Sequence, residues 1–585
     1  MTAGGILPDM LRSALLLAFA QICALLSSPV GAQTTQPQPS HDVIIRSARV
    51  IDGAGNPWFY ADLAIDGDRI AAVGDLRGAT AALEIDAGGK VVAPGFIDVH
   101  THADDDLYKL PAAENFVRQG VTTIVSGNCG SSVRDVAQYF DNLQKRGVGL
   151  NVATLYGHNT ILRAVKGSAA GELTPVQMEQ ARQLMDKAMR DGAVGLSTGL
   201  IYTPGRWSST EEIIEIARVS AAHGGIYASH MRSEGHGILE AIDEALRVGR
   251  EAGCRVQISH FKMPTDVAAR MGGSDVTLAR VVAARDAGQE VWIDQYPYTA
   301  SSTTINTVLP DWVLEDGPEA AKQKLNDPDT LARVLDDMRK NHEIGRGRKS
   351  MAYAVIASCK AFPQYEGKNL QQVAVMRKLE GAGDLLQPEG AAPTVTMEDQ
   401  YRAAIAIYLA GGASCVFHTM DEQQVENIMR HPLVGIASDS GVREFNAGQP
   451  HPRGYGTNAR VLGRYVRERK LITLEEAVRK MTSMPARAFR FDDRGVLRPG
   501  ASADVVVFDP DTVIDKATFD APHAYAEGFE FVFVNGVAVI RDGQMTGALP
   551  GRPVYGPGRT LPLRRQRRKD PRGGAPKVIR GRNRP

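Results

Sequence analysis

The chain is 585 residues long and 43% hydrophobic, which is enough for a large folded core and excludes a disordered or fibrous protein. Its 67 basic and 67 acidic residues give a formal net charge of zero, which argues against a nucleic-acid-binding body. Five cysteines are too few for a disulfide scaffold of this length.

The first 32 residues have the pattern of a signal peptide. Arg12 precedes an apolar run at 14–26, and Val30-Gly31-Ala32 offers the small residues that precede a cleavage site. The run is shorter than the roughly 20 residues needed to span a bilayer. The pattern therefore predicts cleavage after Ala32 and an exported protein, either periplasmic or secreted.

Two β-rich segments flank a long middle segment. Short β-branched runs broken by Gly and Asp occupy residues 41–93. The same pattern of short β-branched runs occurs at 490–550, where Asn535-Gly536 is a signal for a tight hairpin. We expect the two halves to join in one small β-sandwich domain.

The middle segment, residues 94–489, alternates short apolar strands with amphipathic helices. About eight such repeats favour a (β/α)8 barrel of the TIM type over an open sheet. The alternation of strands and helices is interrupted at about 311–399, which we interpret as an insertion on the barrel. Residues 559–585 are rich in Arg, Pro and Gly, which predicts a basic disordered tail whose charge suits contact with anionic envelope surfaces.

Six side chains that commonly bind metals follow predicted strands. His100 and His102 occupy alternate positions after the apolar run 95–99, so their imidazoles point to the same side. The other four also come where apolar runs end, namely Cys129, His230, His260 and Asp439. The carboxyl ends of barrel strands meet at one mouth, and such polar groups are costly to bury unless each is satisfied. The pattern therefore indicates a divalent metal site.

The motifs around these residues resemble those of the amidohydrolase superfamily, specifically the D-aminoacylases, or N-acyl-D-amino-acid deacylases. The resemblance covers nearly all of 42–550 and rests on the segments 93–102, 120–130, 157–160, 195–202, 229–234, 259–262, 294–303, 438–441 and 451–453. It implies one tight zinc ion held by Cys129, His230 and His260. It also implies a second, weaker metal position formed by His100, His102 and Asp439.

The implied reaction is hydrolysis of the amide bond of N-acyl-D-amino acids. Zinc lowers the pKa of bound water to roughly 7, and Asp439 is expected to act first as general base and then as general acid. The preference for the D enantiomer comes from the resemblance alone. His158 is a candidate to support the oxyanion, and an ordinary hydrogen-bonding role explains it equally well. The remaining histidines are interpreted as structural or surface residues: His223, His236, His418 and His431.

Substrate contacts are predicted for five residues near the same mouth. The resemblance implies that Arg453 and Tyr296 hold the substrate carboxylate, for which a guanidinium fork is well suited. Lys262, Tyr202 and Ser302 are similarly placed. For each of them, a position on the surrounding surface without substrate contact is the alternative interpretation. The predicted partner is a small-molecule substrate, with no nucleic acid and no transmembrane span.

Other functions fit part of the pattern. A deaminase on the same barrel would use paired histidines and an aspartate, but it has no role for Cys129. A cyclic-amide hydrolase or a dipeptidase would share the metal chemistry and differ only in the shape of the pocket. A non-enzymatic scaffold is disfavoured, because all six candidate ligands are present.

Overall fold

The computed structural model describes residues 39–382 and 393–560. The predicted signal peptide lies outside these residues, and so does nearly all of the predicted basic tail. Within the described ranges, no helix is both long enough and apolar enough to cross a membrane.

The first strands of the chain belong to a nine-stranded sheet. They are β1 (His41–Val50), β2 (Phe59–Asp66), β3 (Arg69–Gly74), β4 (Ala81–Asp86) and β5 (Val91–Pro94). β1 is the branch point of this sheet, because it pairs with β2 in antiparallel and with both β4 and β5 in parallel orientation.

A parallel barrel follows, in which strands alternate with helices. Its strands up to residue 295 are β6 (Phe96–Asp98), β7 (Val121–Ser126), β8 (Asn151–Thr154), β9 (Tyr156–Gly157), β10 (Gly195–Gly199), β11 (Ile226–His230), β12 (Arg255–Ile258) and β13 (Val291–Gln295). The helices between them are Asp106–Lys109, Glu114–Val117, Val136–Arg146, His158–Lys166, Pro175–Asp191, the 3₁₀ turn Gly205–Trp207, Thr210–Ala222, Ile238–Ala252, Thr265–Met271 and Ser274–Asp286.

Local sequence signals set the ends of these helices. The helix Pro175–Asp191 begins with a capping box between Thr174 and Gln177 and has proline in its first turn. It ends at Gly192, whose φ of 110° lies in the left-handed region that glycine adopts without strain. Its apolar face then packs against the barrel through side chains such as Met185.

An insertion separates β13 from the last barrel strand. It contains the antiparallel strands β14 (Ser301–Thr304), β15 (Ala354–Ser358) and β16 (Ser414–Phe417), in the order β14-β16-β15. Its helical segments are Ile305–Val308, Asp311–Val313, Pro318–Asn326, Pro328–Arg339, Lys340–Gly345, Pro363–Tyr365, Leu370–Ala382 and Met397–Leu409. The unit extends beyond the predicted limits of 311–399 at both ends, because its sheet includes β14 and β16. It has a hydrophobic core of its own.

The last barrel strand is β17 (Val434–Ile436), which pairs in parallel with β13. Only Leu155 separates β8 from β9, and a parallel bridge between Thr101 and Ser440 joins the ends of β6 and β17. The ring of parallel strands is closed by this bridge, as the repeat pattern predicted. The helical segments of this part are Glu422–Arg430, Arg453–Arg460, Val461–Glu468, Leu474–Met481 and Ser483–Phe489.

The chain then returns to the nine-stranded sheet with β18 (Val505–Phe508), β19 (Phe529–Val534), β20 (Val537–Arg541) and β21 (Gln544–Met545). β18 pairs in antiparallel orientation with β5, which joins the two halves. Asn535 and Gly536, with φ of 49° and 79°, form the turn between β19 and β20. All nine strands belong to one hydrogen-bonded sheet. The division into two packed layers, as in a sandwich, stays a prediction.

Candidate metal centre

The six candidate ligands lie at the carboxyl ends of barrel strands. His100 and His102 follow β6, Cys129 comes three residues after β7, and His230 is the last residue of β11. His260 and Asp439 follow β12 and β17. Parallel strands in a closed barrel present these ends at one mouth, and the six side chains therefore converge.

Two groups of potential ligand atoms share Cys129. One contains His100, His102, Cys129 and Asp439, and the other contains Cys129, His230 and His260. Within each group the ligand atoms all lie within 4.8 Å of one another. The Cys129 Sγ lies 3.3 Å from His100 Nε2 and 3.6 Å from His260 Nε2. The second group has the composition of the tight position that the resemblance implies, and the first contains the three residues of the weaker position together with Cys129.

Three of these residues have a backbone conformation that is rare outside glycine. The φ angles of Cys129, His260 and Asp439 are 53°, 37° and 53°. Residues held in this region cost on the order of 1–3 kcal/mol each and cluster at functional sites. The strain turns each side chain inward just after its strand, which indicates that the mouth is built for placing these groups.

The charges of the centre favour an anionic cysteine and an anionic aspartate. Burial raises the pKa of the Cys129 thiol, but the positive charges of His100 and His230 outweigh it and hold that pKa well below its usual range. Burial likewise opposes ionisation of Asp439, and Arg453 and His100 nevertheless hold its pKa well below normal. The centre therefore contains two anionic groups, whose charges the neighbouring histidines and Arg453 balance.

The donor set fits a zinc ion. A thiolate and two imidazoles match the pattern of three protein ligands that is typical of catalytic zinc. Among the described residues, His230 Nε2 is buried without a hydrogen-bond partner. Buried polar nitrogens without a partner are rare in folded proteins, and a bound metal is one way to satisfy such an atom.

Two carboxylates that the sequence analysis did not assign support the histidines. Asp294 Oδ1 accepts a hydrogen bond from the His260 amide at 2.7 Å and lies 3.3 Å from His100 Nδ1. Glu234 Oε1 lies 2.9 Å from His260 Nδ1 and also pairs with the Lys262 ammonium. Carboxylates behind metal-binding histidines fix the orientation and tautomer of the ring. Both residues lie inside sequence motifs on which the family resemblance rests, and this was the sequence signal that could have marked them as functional.

We expect Glu234→Gln to weaken zinc binding or kcat/KM by about 10- to 100-fold, because the substitution removes the charge behind His260 and Lys262. A chelator competition assay and steady-state kinetics on the same preparation measure both quantities. Glu240→Gln, on the exposed side of the following helix, is the matched control and should behave like the parent. Unchanged zinc affinity and turnover in the Glu234 variant would contradict the supporting role.

The five predicted substrate-contact residues line one cavity of about 1110 Å³, together with Cys129, His230, His260 and Asp439. Arg453 Nη1 lies 2.8 Å from Asp439 Oδ2, and the guanidinium carbon lies 4.8 Å from the centre of the Tyr296 ring. The Tyr202 hydroxyl bonds to Thr303 Oγ1 at 2.9 Å. Ser302 contributes its carbonyl, which accepts from Arg453 Nη2 at 3.4 Å.

Comparison with known proteins gives the family. A sequence model described as the amidohydrolase family matches residues 83–546. The chain belongs to the amidohydrolase family. An N-acyl-D-glutamate deacylase of Alcaligenes xylosoxydans xylosoxydans is 39% identical over 568 residues, which are 93% of this chain and 100% of the relative. A D-aminoacylase of the same organism is 36% identical, over 87% of this chain and 97% of that protein.

The fold of this amidohydrolase also matches solved structures. The crystal structure of an N-acyl-D-glutamate deacylase from Bordetella bronchiseptica, complexed with zinc and a phosphonate inhibitor, superposes with a TM-score of 0.74. The two sequences are 34% identical, and the match covers 88% of this chain and 99% of that one. The TIM barrel predicted from the repeat pattern is thereby confirmed.

Two other histidines of this amidohydrolase differ in their relation to the cavity. His158 is fully buried outside the cavity wall, and burial, together with Lys166 and Arg232, lowers its pKa to about 3. Both ring nitrogens of His158 are buried without a hydrogen-bond partner among the described residues, and its role stays a prediction. His236 was interpreted as structural or surface, and its exposed side chain lies on the cavity wall.

Proposed function

We propose that this amidohydrolase is a zinc-dependent N-acyl-D-amino-acid deacylase, which releases a carboxylate and a free D-amino acid. The observation that carries the proposal is Arg453 lying beside Asp439 in the cavity that also contains the cysteine and histidine cluster. A cationic anchor and a metal position thus face the same small volume. The similarity to N-acyl-D-amino-acid deacylases over most of the chain supports the same reaction.

In this proposal the six candidate ligands have different roles. Cys129, His230 and His260 would hold the tight zinc ion, and His100, His102 and Asp439 would form the weaker second position. When bound, zinc supplies a Lewis acid that lowers the pKa of a bound water to about 7 and polarises a carbonyl group. Glu234 holds the His260 ring through Nδ1, and Asp294 accepts a hydrogen bond from the His260 backbone amide.

Asp439 acts as the general base and then as the general acid. It accepts a proton from the attacking water and delivers it to the amide nitrogen, which is a poor leaving group until it is protonated. Both carboxylate oxygens are held, because His102 Nε2 lies 3.0 Å from Oδ1 and Arg453 Nη1 lies 2.8 Å from Oδ2. This fixed geometry keeps the carboxylate aimed at the reacting atoms.

Arg453 binds the substrate carboxylate. Among the described residues its Nε is buried without a hydrogen-bond partner, which leaves a donor for an incoming carboxylate. The Tyr296 ring lies against the guanidinium and limits its movement. Lys262, Tyr202 and Ser302 complete the wall around this position. The carboxylate anchor, the metal position and the cavity wall against the side chain give the three contacts that are needed to select one configuration of the α-carbon.

The zinc-loaded protein should hydrolyse N-acetyl-D-amino acids and leave the L enantiomers largely intact, with rates that differ by about 100-fold or more. Misplacing a reacting group by about 1 Å is enough for a difference of this size. The measurement is release of free amino acid from paired N-acetyl-D and N-acetyl-L substrates. Equal rates on both enantiomers would instead favour a dipeptidase or a cyclic-amide hydrolase, which dipeptide and hydantoin substrates in the same panel would identify.

A further inference from the structure

Arg443 lies on the wall of the same cavity, four residues after Asp439, and neither the zinc position nor the substrate anchor accounts for it. Its side chain is half-buried. The loop that carries it connects β17 to the helix Arg453–Arg460, so Arg443 and Arg453 belong to the same side of the mouth. A second guanidinium near the first requires a physical explanation, because like charges repel.

The position of Arg443 is fixed by buried groups. Its backbone amide donates to Asn115 Oδ1 at 3.2 Å, and its Nε donates to Ser440 Oγ at 3.0 Å. Asn115 Nδ2 in turn donates to the carbonyl oxygen of Gly454 at 2.8 Å. A Cβ atom at Gly454 would lie 3.1 Å from Arg443 Cγ and 2.7 Å from Ser440 Oγ. Gly454 therefore leaves room for this side chain.

Arg443 has no direct ion pair among the described residues, although the more distant carboxylates of Asp106 and Asp439 act on its charge. In the part of the chain that the structure describes, no carboxylate oxygen lies within 4.0 Å of its guanidinium nitrogens, and its hydrogen bonds involve the backbone amide and Nε but neither Nη atom. Most other cations of the cavity wall pair with a carboxylate: Arg453 with Asp439, Lys262 with Glu234, Arg206 with Asp311, Arg346 with Asp266 and Arg232 with Glu244. Arg163 on the same wall donates to the carbonyl oxygen of Thr203.

The electrostatics of Arg443 also favour a bound anion. Burial and the positive charge of Arg453 lower the pKa of Arg443 by more than Asp106 and Asp439 raise it. An anion in the cavity, next to the Nη atoms of Arg443, would relieve the repulsion between the two guanidinium groups. A guanidinium whose Nε is fixed presents two parallel donors for a carboxylate.

We propose that Arg443 forms a second anion subsite, which binds a carboxylate on the side chain or on the acyl group of the substrate. The proposal rests on the proposed deacylase function, since Arg453 is taken to hold the α-carboxylate and Asp439 to face the scissile amide. The preferred substrates are then N-acyl-D-amino acids with two carboxylates. Arg443 acts through binding and selects the substrate.

Two pairs of substrates separate the two sources of the carboxylate. N-acetyl-D-glutamate against N-acetyl-D-glutamine tests the side chain, and N-succinyl-D-alanine against N-butanoyl-D-alanine tests the acyl group. In one pair we expect kcat/KM to favour the dianionic member by about tenfold or more, as a charged hydrogen bond allows. Arg443→Gln should abolish that preference, and Arg443→Lys should retain part of it. Arg346→Gln is the control, because Arg346 lines the same cavity but already pairs with Asp266 at 3.5 Å.

Binding of the products tests the subsite without turnover. Isothermal titration calorimetry on the zinc-loaded protein compares D-glutamate with D-glutamine and succinate with butanoate. Tighter binding of the member with the extra carboxylate in one pair, lost in Arg443→Gln, supports the subsite. Equal affinities in both pairs, or a preference that survives in Arg443→Gln, would overturn it. If no N-acyl-D-amino acid is hydrolysed, the proposed function fails, and the calorimetry still decides whether Arg443 binds a carboxylate.

Discussion

Replacing Cys129 with alanine should remove most of the bound zinc and lower kcat/KM by more than about 100-fold, since losing even an indirect support of a metal ligand costs 10- to 100-fold. Cys129 is the one residue that belongs to both groups of potential ligand atoms. Its loss therefore affects both proposed metal positions. Zinc content by atomic absorption and steady-state kinetics on the same preparation measure the two effects.

A second cysteine of the barrel provides the matched control. Cys254 immediately precedes β12, at the end of the barrel opposite the mouth, and its half-buried side chain is also free. Cys254→Ala should keep zinc and turnover near the parental values, because it removes a thiol of the same kind without touching the centre. Stoichiometric zinc and near-normal turnover in the Cys129 variant would make Cys129 a packing residue and refute the ligand assignment.

The barrel and the convergence of the six side chains could be predicted from the sequence, because both depend on local patterns. Apolar runs such as Val121–Ser126 alternate with amphipathic helices, and the closed parallel arrangement follows from that repeat. Once the strands are parallel, residues that follow them must share one mouth. His230 and His260 illustrate this, since 30 positions separate them in sequence while Nδ1 of the first lies 2.7 Å from Nε2 of the second.

The supporting groups could not be predicted in the same way, because their roles arise only from tertiary contacts. Glu234 lies in a loop after β11, and nothing in its own segment indicates that it approaches His260 Nδ1. The insertion limits were displaced for a related reason. Ser301–Thr304 and Ser414–Phe417 are short strands that pair with each other across more than one hundred positions, so their pairing leaves no local pattern.

Asp439→Asn should lower kcat by on the order of a thousandfold while the protein stays folded, because general acid-base catalysis contributes roughly 10²- to 10⁴-fold. Asparagine keeps the size of the side chain but cannot accept and return a proton. Cys129, His230 and His260 remain to hold the tight zinc ion. The variant should therefore retain one zinc per chain and lose turnover.

Measuring kcat, zinc content and melting temperature on one preparation separates this role from a structural one. If Asp439 only neutralises Arg453 and His102, which it contacts at 2.8 and 3.0 Å, the damage should appear as a lower melting temperature. Asp311→Asn is the control, since Asp311 is a carboxylate on the same cavity wall that pairs with Arg206. A folded, zinc-loaded Asp439→Asn variant working within about tenfold of the parent would fall below the range of acid-base catalysis, and Asp439 would then not be the proton carrier.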